Sequence, residues 1–511
     1  MRPAGEQRHQ VRAGRPHFAP VEGGRAGRRQ RGDERGDERG RDPCRRPPSA
    51  AAAAPRTCGG GASVAWHRSI ITTLADNAPV NHAATSAASA GSAAAPDAPG
   101  ALDGVRVLDL SRVLAGPWCT QTLADLGADV IKVERPSSQD HPGGDDTRGW
   151  GPPFLKDRAG HDTAEAAYFL GTNRNKRSVT IDLAHPDGQA LVRRMCLSCD
   201  VLVENFKVGD MARYGLDAAA LRALNPRLVY ASITGYGQTG PYRERAGYDY
   251  AIQGLGGLMS VTGERDDLPG GGPQKVGVAV ADLFTGMYAT VAILAALRHR
   301  DASGQGQVID MALLDTQVAM LANLGANYLV TRQAPRRIGN AHQNIVPYQV
   351  FEVADGHLIL AVGNDGQFDK FCAVAGCPEL AADARFTRNA DRVRHRAALV
   401  PLLAPILRRR TRADWLAALE AARVPCGPIN DLGEVFADAQ VRARGMTLAV
   451  PHPLADDLEL VASPIRMSTT PVTLRRPPPL LGEHTDEVLA EFGVDAAERA
   501  RLRDAGVLGR K

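Results

Sequence analysis

Short apolar segments alternate with helix-length amphipathic segments between residues 105 and 233, and this alternation constrains the fold of the chain most strongly. The apolar segments are rich in valine, isoleucine and leucine, as buried strands are. Strands separated by helices form a parallel sheet with helices on both faces. We therefore predict an α/β fold with a doubly wound parallel sheet. The predicted strands are residues 105–110, 129–133, 178–183, 201–204 and 228–233.

The pattern changes after the apolar segments that begin at Asp282 and Leu313. Residues 348–362 alternate as two strands around Asp355 and Gly356, a dipeptide typical of hairpin turns. A hairpin has antiparallel strands, so this part of the chain predicts a second, smaller α+β domain.

Residues 1–98 have the composition of a disordered extension, because arginine, glycine, alanine, proline and serine dominate and large apolar residues are few. The acidic Gly-Asp-Glu-Arg repeat within residues 32–40 argues against an organellar transit peptide, and the apolar core of a secretory signal is missing. No apolar run approaches the roughly 20 residues of a membrane span. We expect a cytoplasmic bacterial protein in which this extension is dispensable.

The formal charge of +4 is unevenly distributed. Residues 1–60 carry fourteen arginines and seven acidic residues, whereas the remainder carries 47 basic and 50 acidic residues. General nucleic-acid binding requires a clustered basic face, which a nearly neutral body does not provide. Basic residues in the body therefore indicate local anion pockets, and we expect no nucleic-acid or membrane partner.

The common cofactor motifs are missing. The first strand is followed by Ser-Arg-Val-Leu-Ala-Gly-Pro without GxGxxG, and the sequence contains no GxxxxGK[ST], GxSxG or HExxH. Cys196 and Cys199 form a lone CxxC, which favours buried structural thiols over a zinc or redox site. We therefore expect no metal and no cofactor.

Asp282 stands at the junction of the apolar run 277–281 and a long apolar helix that contains Gly286. One interpretation is a helix N-cap, whose side chain accepts a backbone N–H of the first turn. The other is a carboxylate nucleophile, held ionised by the helix N-terminus and approachable because Gly286 has no side chain. The two interpretations are compatible.

Polar residues follow several predicted strands, at the edge where doubly wound sheets bind ligands. This set combines cations, an amide and aromatic rings, which suits a large anionic ligand with a purine and phosphates. Each cation taken alone is equally well explained as a solvated surface charge. The residues are Arg135, Asn205, Phe206, Lys207, Arg213 and Tyr248.

Several segments together make residues 102–494 resemble the class III CoA-transferases, the CaiB/BaiF family. Each segment is weak alone, but their number and order make the resemblance specific. They are Leu-Asp-Gly-Val-Arg-Val-Leu-Asp-Leu at 102–110, Leu-Gly-Ala-Asp-Val-Ile-Lys-Val-Glu-Arg at 126–135, Asn-Arg-Asn-Lys-Arg-Ser at 173–178, Val-Glu-Asn-Phe at 203–206, Ser-Ile-Thr-Gly-Tyr-Gly at 232–237, Val-Ala-Asp-Leu-Phe-Thr-Gly-Met at 280–287 and Pro-Leu-Leu-Gly-Glu-His-Thr at 479–485.

The resemblance implies a Rossmann-like large domain, a small inserted domain and two interlocked subunits in a homodimer. It assigns 99–334 to the large CoA-binding domain, 335–400 to the small α+β domain, and 401–511 to a linker and a return to the large domain. It places Asp282 at the nucleophile position. It places along bound CoA the residues Arg135, Asn205, Phe206, Lys207, Arg213, Gly247, Tyr248 and Asp249.

The segments 235–241, 340–349 and 477–482 are most similar to the succinyl-CoA:glutarate branch, so we expect succinyl-CoA as donor and a dicarboxylate as acceptor. The formyl-CoA branch has a glutamine where this chain has Leu114, which makes formate/oxalate exchange doubtful. Arg336, Arg337 and His342 cluster before the predicted hairpin, where one of them is expected to hold the distal carboxylate of the acceptor. Trp150 and Gly286 complete the predicted substrate site.

Two other functions compete with transfer. Racemases of α-methylacyl-CoA resemble this chain but carry a histidine base where it has Tyr248, and phenols, which ordinarily titrate near pH 10, are poor bases at neutral pH. The second alternative is a non-catalytic acyl-CoA-binding protein, and the presence of both Asp282 and Gly286 argues against it.

Overall fold

The computed structural model describes residues 99–510, so the prediction for residues 1–98 lies outside the described residues. The elements as far as residue 331 belong to the predicted large domain. In chain order they are β1 (Arg106–Asp109), α1 (Ala115–Asp125), β2 (Asp129–Glu134), the 3₁₀ helix η1 (Asp146–Gly149), β3 (Phe154–Lys156), β4 (Asp162–Ala166), α2 (Ala167–Leu170), β5 (Lys176–Thr180), α3 (Pro186–Cys196), β6 (Val201–Glu204), α4 (Asp210–Arg213), α5 (Ala218–Leu224), β7 (Val229–Thr234), α6 (Asp249–Leu255), α7 (Leu258–Val261), α8 (Val280–Ser303), β8 (Val308–Ala312), α9 (Leu313–Met320) and α10 (Ala322–Thr331).

Six parallel strands form the main sheet in the order β5-β2-β1-β6-β7-β8. Counted along the chain, this is the 3-2-1-4-5-6 order of a Rossmann fold. Val107 of β1 pairs with Val130 on one side and Val201 on the other, and all three are fully buried. The predicted doubly wound parallel sheet is confirmed, and its strand order reverses between β1 and β6.

Helices cover both faces of this sheet. Leu123 of α1 and Ile293 of α8 are buried in the core on one face. Leu191 of α3 is buried in the core on the other face. The predicted structural thiols Cys196 and Cys199 are free and buried in this second core.

α8 has 24 residues and is apolar enough to cross a membrane by length and composition alone, which corrects the expectation that no apolar run is long enough. Half of its most apolar window is nevertheless buried inside the protein, where α8 packs against α1 and β7. Core helices of soluble proteins meet the same criterion.

The remaining elements begin with the predicted hairpin, in which β9 and β10 pair antiparallel around Asp355. In chain order the elements are β9 (Tyr348–Val353), β10 (Gly356–Ala361), α11 (Asp365–Ala375), α12 (Pro378–Ala382), α13 (Asn389–Arg394), α14 (Arg396–Leu407), α15 (Arg412–Ala421), β11 (Cys426–Gly427), α16 (Leu432–Ala437), α17 (Ala439–Ala443), β12 (Thr447–Ala449), β13 (Glu459–Val461), α18 (Thr485–Glu491) and α19 (Ala496–Asp504).

A third hydrophobic core lies under the hairpin and extends beyond the boundary predicted at residue 400, which falls inside α14. Leu403 and Leu407 of α14 and Trp415 of α15 are buried in it, and the indole N–H of Trp415 donates to the carbonyl oxygen of Leu407 at 2.7 Å. β11 also pairs with β10. The boundary therefore moves to about residue 427, because these residues share one core and one sheet.

Candidate active site

A cleft of about 290 Å³ opens at the carboxyl ends of β1 and β6, where the strand order reverses. Doubly wound sheets bind their ligands at this point. The loops after β1, β6 and β7 and the first turn of α8 form its walls. Six of the predicted site residues line it, namely Asn205, Phe206, Lys207, Gly247, Tyr248 and Asp282.

Asp282 lies in the first turn of α8 but is not its N-cap. The N-cap is Ala279, which has no side chain to accept a hydrogen bond. Instead the Oδ1 atom of Asp249 accepts the backbone N–H of Ala281 at 2.8 Å and that of Asp282 at 3.4 Å. The N-cap interpretation of Asp282 is therefore wrong, because the carboxylate of Asp249 in α6 accepts the first backbone N–H groups of α8 and the carboxylate of Asp282 does not. Asp249, predicted along CoA, does not line the cleft.

The environment of Asp282 raises the pKa of its carboxyl group. Burial, and secondly the negative charge of Asp249, raise the pKa of Asp282 to about 7. Within residues 99–510, no side chain donates a hydrogen bond that would stabilise its charged form. The expectation that the helix N-terminus keeps this group ionised is not met near pH 7, because burial and the charge of Asp249 both favour the protonated form. Carboxylic acid and carboxylate coexist there.

Gly286, one turn after Asp282, is buried against the start of α1. A Cβ atom at this position would lie 2.6 Å from the carbonyl oxygen of Ala115 and 3.2 Å from Cβ of Trp118. The glycine therefore allows α1 and α8 to pack closely. The group that approaches Gly286 is α1 of the same chain, and the assignment of Gly286 to the substrate site stays a prediction.

Asn205 holds the loop that follows β1. Its Oδ1 accepts the backbone N–H of Arg112 at 2.9 Å, and its Nδ2 donates to the carbonyl oxygen of Arg112 at 2.7 Å. The guanidinium of Arg112 lies over the ring of Phe206 at 5.6 Å. The loops after β1 and β6 are thereby fixed to each other across the reversal point of the sheet.

Glu204 is a buried acid behind this wall that the sequence analysis did not single out. Burial raises the pKa of Glu204 to about 7, against opposing hydrogen bonds from Ser232 and from the backbone N–H of Phe206, the latter at 2.8 Å. The sequence analysis placed it in the strand 201–204 and in the family segment 203–206, but gave it no role.

Arg135 lines a second cleft of about 370 Å³, together with His141 and Tyr214. Arg112 and Phe206 line both clefts, so the two clefts adjoin at this pair.

Arg213 lines neither cleft. Its guanidinium pairs with Asp210 at 3.2 Å and lies over the ring of Tyr214, which itself lines the second cleft.

Gly247 and Tyr248, on the loop before α6, line the first cleft. Gly247 packs backbone to backbone on Gly235, since a Cβ at either position would come within 2.5 Å of the other residue's Cα. Tyr248 follows with 65% of its surface exposed.

Trp150 packs against Tyr168 and lines neither cleft. Its indole packs edge-on against Tyr168, with ring centroids 5.3 Å apart. Burial, followed by the charges of Asp282 and Asp249, raises the pKa of Tyr168 to about 12. Trp150 therefore stands beside a phenol that is sensitive to the charge of Asp282.

Arg336, Arg337 and His342 line neither cleft of the described chain. Arg337 forms an ion pair with Asp266, and the ring of His342 packs against that of Tyr348 at 5.2 Å. Their assignment to the acceptor carboxylate stays a prediction.

Three arginines in the first cleft were missed by the sequence analysis. Arg112 pairs with Asp146 at 2.9 Å, and Arg243 lies 3.4 Å from Glu244. Arg245 stacks on the ring of Tyr242 at 3.8 Å and has no carboxylate partner among residues 99–510. The run Tyr-Arg-Glu-Arg at 242–245 was the available signal, but alternating charges are also typical of a solvated loop.

The fold and the clefts define an α/β protein that can bind an extended anionic ligand beside a carboxyl group able to act as a nucleophile. Comparison with known proteins is consistent with this class. The model of CoA-transferase family III matches residues 102–485. This chain therefore belongs to CoA-transferase family III and is a CoA-transferase, as the resemblance predicted.

Individual relatives cover most of the chain. The succinate–glutarate CoA-transferase of Agrobacterium fabrum is 53% identical over 391 residues, which are 76% of this chain and 95% of that protein. The succinyl-CoA:glutarate CoA-transferase of Mus musculus is 43% identical over 408 residues, 80% of this chain and 90% of that protein. The crystal structure of a CaiB/BaiF family protein from Brucella suis is 50% identical with a TM-score of 0.67, and covers 77% of this chain and 100% of that one.

Proposed function

We propose that this CoA-transferase moves CoA from succinyl-CoA to a dicarboxylic acid such as glutarate, with Asp282 as the nucleophile. The position of Asp282 in the cleft at the reversal point of the sheet carries the proposal. The names of the relatives that are 43% and 53% identical support this choice of donor and acceptor.

In the proposed reaction a carboxylate oxygen of Asp282 attacks the thioester carbonyl and expels CoA thiolate, which leaves a mixed anhydride. The thiolate attacks the aspartyl carbonyl, releases succinate and forms an aspartyl–CoA thioester. The acceptor carboxylate then attacks that carbonyl, which gives a second anhydride and thiolate. Attack of this thiolate on the acyl carbonyl of the acceptor yields the new acyl-CoA and restores Asp282. Thioester free energy is conserved throughout, so we propose no cofactor besides the CoA substrate.

The anionic CoA suits the two adjoining clefts. We place its phosphates near Arg135, Lys207 and Arg213, because arginine and lysine bind phosphate oxygens by charge-assisted hydrogen bonds. The shared pair of Arg112 and Phe206 then lies between the nucleotide end of CoA and its thioester end.

We propose that a second copy of the chain covers α8, as in the predicted interlocked homodimer. Phe284, Met287, Tyr288 and Val291 follow each other at helical spacing and are all exposed, so they form one apolar stripe on α8. Stripes of this kind mark protein interfaces. Analytical ultracentrifugation of the wild type is expected to show a dimer, whereas a monomer at micromolar concentration would contradict this assignment.

A matrix of acyl-CoA donors and carboxylic acids, analysed by mass spectrometry, tests the substrate assignment. We expect succinyl-CoA with glutarate to give glutaryl-CoA and succinate faster than any pairing with a monocarboxylic acid. Exchange restricted to monocarboxylic acids would contradict the assignment.

A separate incubation distinguishes transfer from racemisation. A chiral 2-methylacyl-CoA incubated in deuterated water is expected to keep its α-proton, because Tyr248 replaces the histidine base of the racemases. Rapid deuterium incorporation would favour the racemase alternative.

A further inference from the structure

The loop between β1 and α1, residues 110–114, contributes Arg112, Val113 and Leu114 to the lining of the first cleft, which Asp282 also lines. We call it the Val113 loop, because Val113 has a φ angle of +72°. Side chains branched at Cβ avoid this left-handed region for steric reasons. Such a conformation persists only where the surrounding structure holds it.

The buried ion pair of Lys132 and Asp145 forms hydrogen bonds with the backbone of the Val113 loop. Lys132 of β2 donates from Nζ to the carbonyl oxygen of Ser111 at 2.9 Å and to Oδ2 of Asp145 at 2.9 Å. The Oδ1 atom of Asp145 accepts the backbone N–H of Val113 at 3.2 Å. The side chains of both charged residues are fully buried. The ion pair therefore bonds to the loop on both sides of Arg112.

Asp145 is itself fixed in place. Its Oδ1 also accepts the backbone N–H of Thr147 at 3.0 Å and the Oγ1 hydroxyl of Thr147 at 2.8 Å. Burial opposes its ionisation, but the charge of Lys132 and the hydrogen bonds from Thr147 keep the pKa of Asp145 below its usual value. The pair stays charged, and its geometry is determined by β2 and η1, not by the loop.

The loop is connected to the helix of the nucleophile through the start of α1. α1 begins at Ala115, directly after the loop, and the carbonyl oxygen of Ala115 lies against Gly286, one turn after Asp282 on α8. Leu114 and Ala115 line the same cleft as Asp282 and give it apolar surface. If Val113 changed to a negative φ, we expect Leu114 and Ala115 to move and water to enter this part of the cleft.

We propose that Asp145 and Lys132 are positioning residues of the transferase, which hold the strained Val113 loop against Asp282 so that the aspartyl–CoA thioester reacts with the acceptor and not with water. The inference rests on the proposed function. The reaction that the loop suppresses is attack of water on the thioester carbonyl of Asp282, which releases CoA and regenerates the free acid. Its net result is hydrolysis of succinyl-CoA to succinate and CoA.

The first experiment compares Asp145→Asn and Lys132→Met with wild type by measuring glutaryl-CoA and free CoA from the same reaction. We expect the ratio of hydrolysis to transfer to rise about 10-fold or more, because a loop released by the ion pair would let water reach the thioester. The control is Asp200→Asn, which removes the ion pair of Asp200 with Arg300 at the amino end of β6, away from the cleft. It is expected to lower stability and leave the ratio unchanged.

The second experiment tests the strain directly. Val113→Gly in the Asp145→Asn background is expected to recover part of the transfer that Asp145→Asn alone loses, because glycine adopts φ near +72° without strain. Val113→Pro is expected to reproduce the hydrolysis with the Lys132–Asp145 ion pair intact, because proline fixes φ near −65° and removes the N–H that Asp145 accepts. This variant decides the matter if the charge variants fail to fold.

An unchanged ratio of hydrolysis to transfer in Asp145→Asn, or in Val113→Pro, would overturn the positioning role. An equal rise in Asp200→Asn would also overturn it, because any loss of stability would then explain the effect. A wild-type enzyme that exchanges CoA with no carboxylic acid would instead refute the proposed function, so the two failures are distinguishable.

Discussion

At the scale of single residues, the chemistry depends on a carboxyl group whose charge is balanced near neutral pH. The protonated form of Asp282 cannot attack a thioester, and the structure raises its pKa to about 7 through burial and through Asp249. Desolvation also makes the carboxylate a more reactive nucleophile once the proton is lost, because fewer hydrogen bonds to water must be broken before it attacks. The same burial makes the ionised form of Asp282 costly for the folded state.

The rate of acylation is expected to rise with pH across neutrality. With a pKa of about 7, roughly ten times more of Asp282 is ionised at pH 8 than at pH 6. Single-turnover kinetics with succinyl-CoA between pH 5.5 and 8.5 measure this directly. A rate independent of pH over that interval would contradict the raised pKa.

The stability of the protein is expected to show the opposite side of this effect. Because the pKa of Asp282 is higher in the folded protein than its ordinary value of 3.8, raising the pH from 4.5 to 8 weakens the folded state through this residue. Asp282→Asn should therefore stabilise the protein more at pH 8 than at pH 4.5, as measured by Tm. An equal shift at both pH values would argue against the linkage.

At the scale of elements, the site depends on how α8 begins. The sequence placed the start of the helix at Asp282, whereas α8 begins at Val280 and is capped by Asp249. The cap comes from an element about 30 residues earlier, and local patterns do not report such contacts. β8 was missed for a related reason, since an edge strand with exposed and half-buried residues lacks the apolar run that identified β1, β2, β6 and β7.

Substitutions of Asp249 are expected to separate capping from charge. Asp249→Asn keeps an acceptor for the N–H groups of α8 and removes the negative charge, so the pH at half-maximal acylation should fall. Asp249→Ala also removes the cap and should cost about 1 kcal/mol in the free energy of unfolding. Urea unfolding and the pH–rate profile distinguish the two, and an unchanged profile in Asp249→Asn would contradict the electrostatic role.

The contact of α1 with α8 is expected to tolerate no side chain at Gly286. Gly286→Ala places Cβ 2.6 Å from the carbonyl oxygen of Ala115, so the helices must move apart, at a cost of about 1–3 kcal/mol in the free energy of unfolding. The control is Gly325→Ala in α10, where Cβ meets its nearest neighbour at 3.4 Å. A loss in the control equal to that of Gly286→Ala would show that helix context, not packing, decides.

At the scale of the whole molecule, the C-terminal helices close the core that begins with β1. Val488 and Leu489 of α18 are fully buried in the same core as Leu108 of β1. The sequence allowed a return to the large domain to be predicted only through the family resemblance, because a short amphipathic helix does not indicate which core it joins. The parallel sheet could be predicted directly from its buried apolar strands.

Leu489→Ala is therefore expected to destabilise the large domain by about 2–5 kcal/mol, as truncations of buried leucines do. The matched control is Leu432→Ala on α16, where 75% of the residue is exposed and the change should stay within about 0.5 kcal/mol. Equal effects in urea unfolding would contradict the packing of α18 described above.

The central claim is that Asp282 becomes covalently acylated, and trapping of the intermediate tests it most directly. The enzyme is incubated with succinyl-CoA without acceptor, treated with hydroxylamine and digested for peptide mass spectrometry. We expect a hydroxamate at Asp282 in the wild type, and neither hydroxamate nor CoA transfer in a folded Asp282→Ala enzyme. A hydroxamate at another residue, or CoA transfer by Asp282→Ala, would contradict the account.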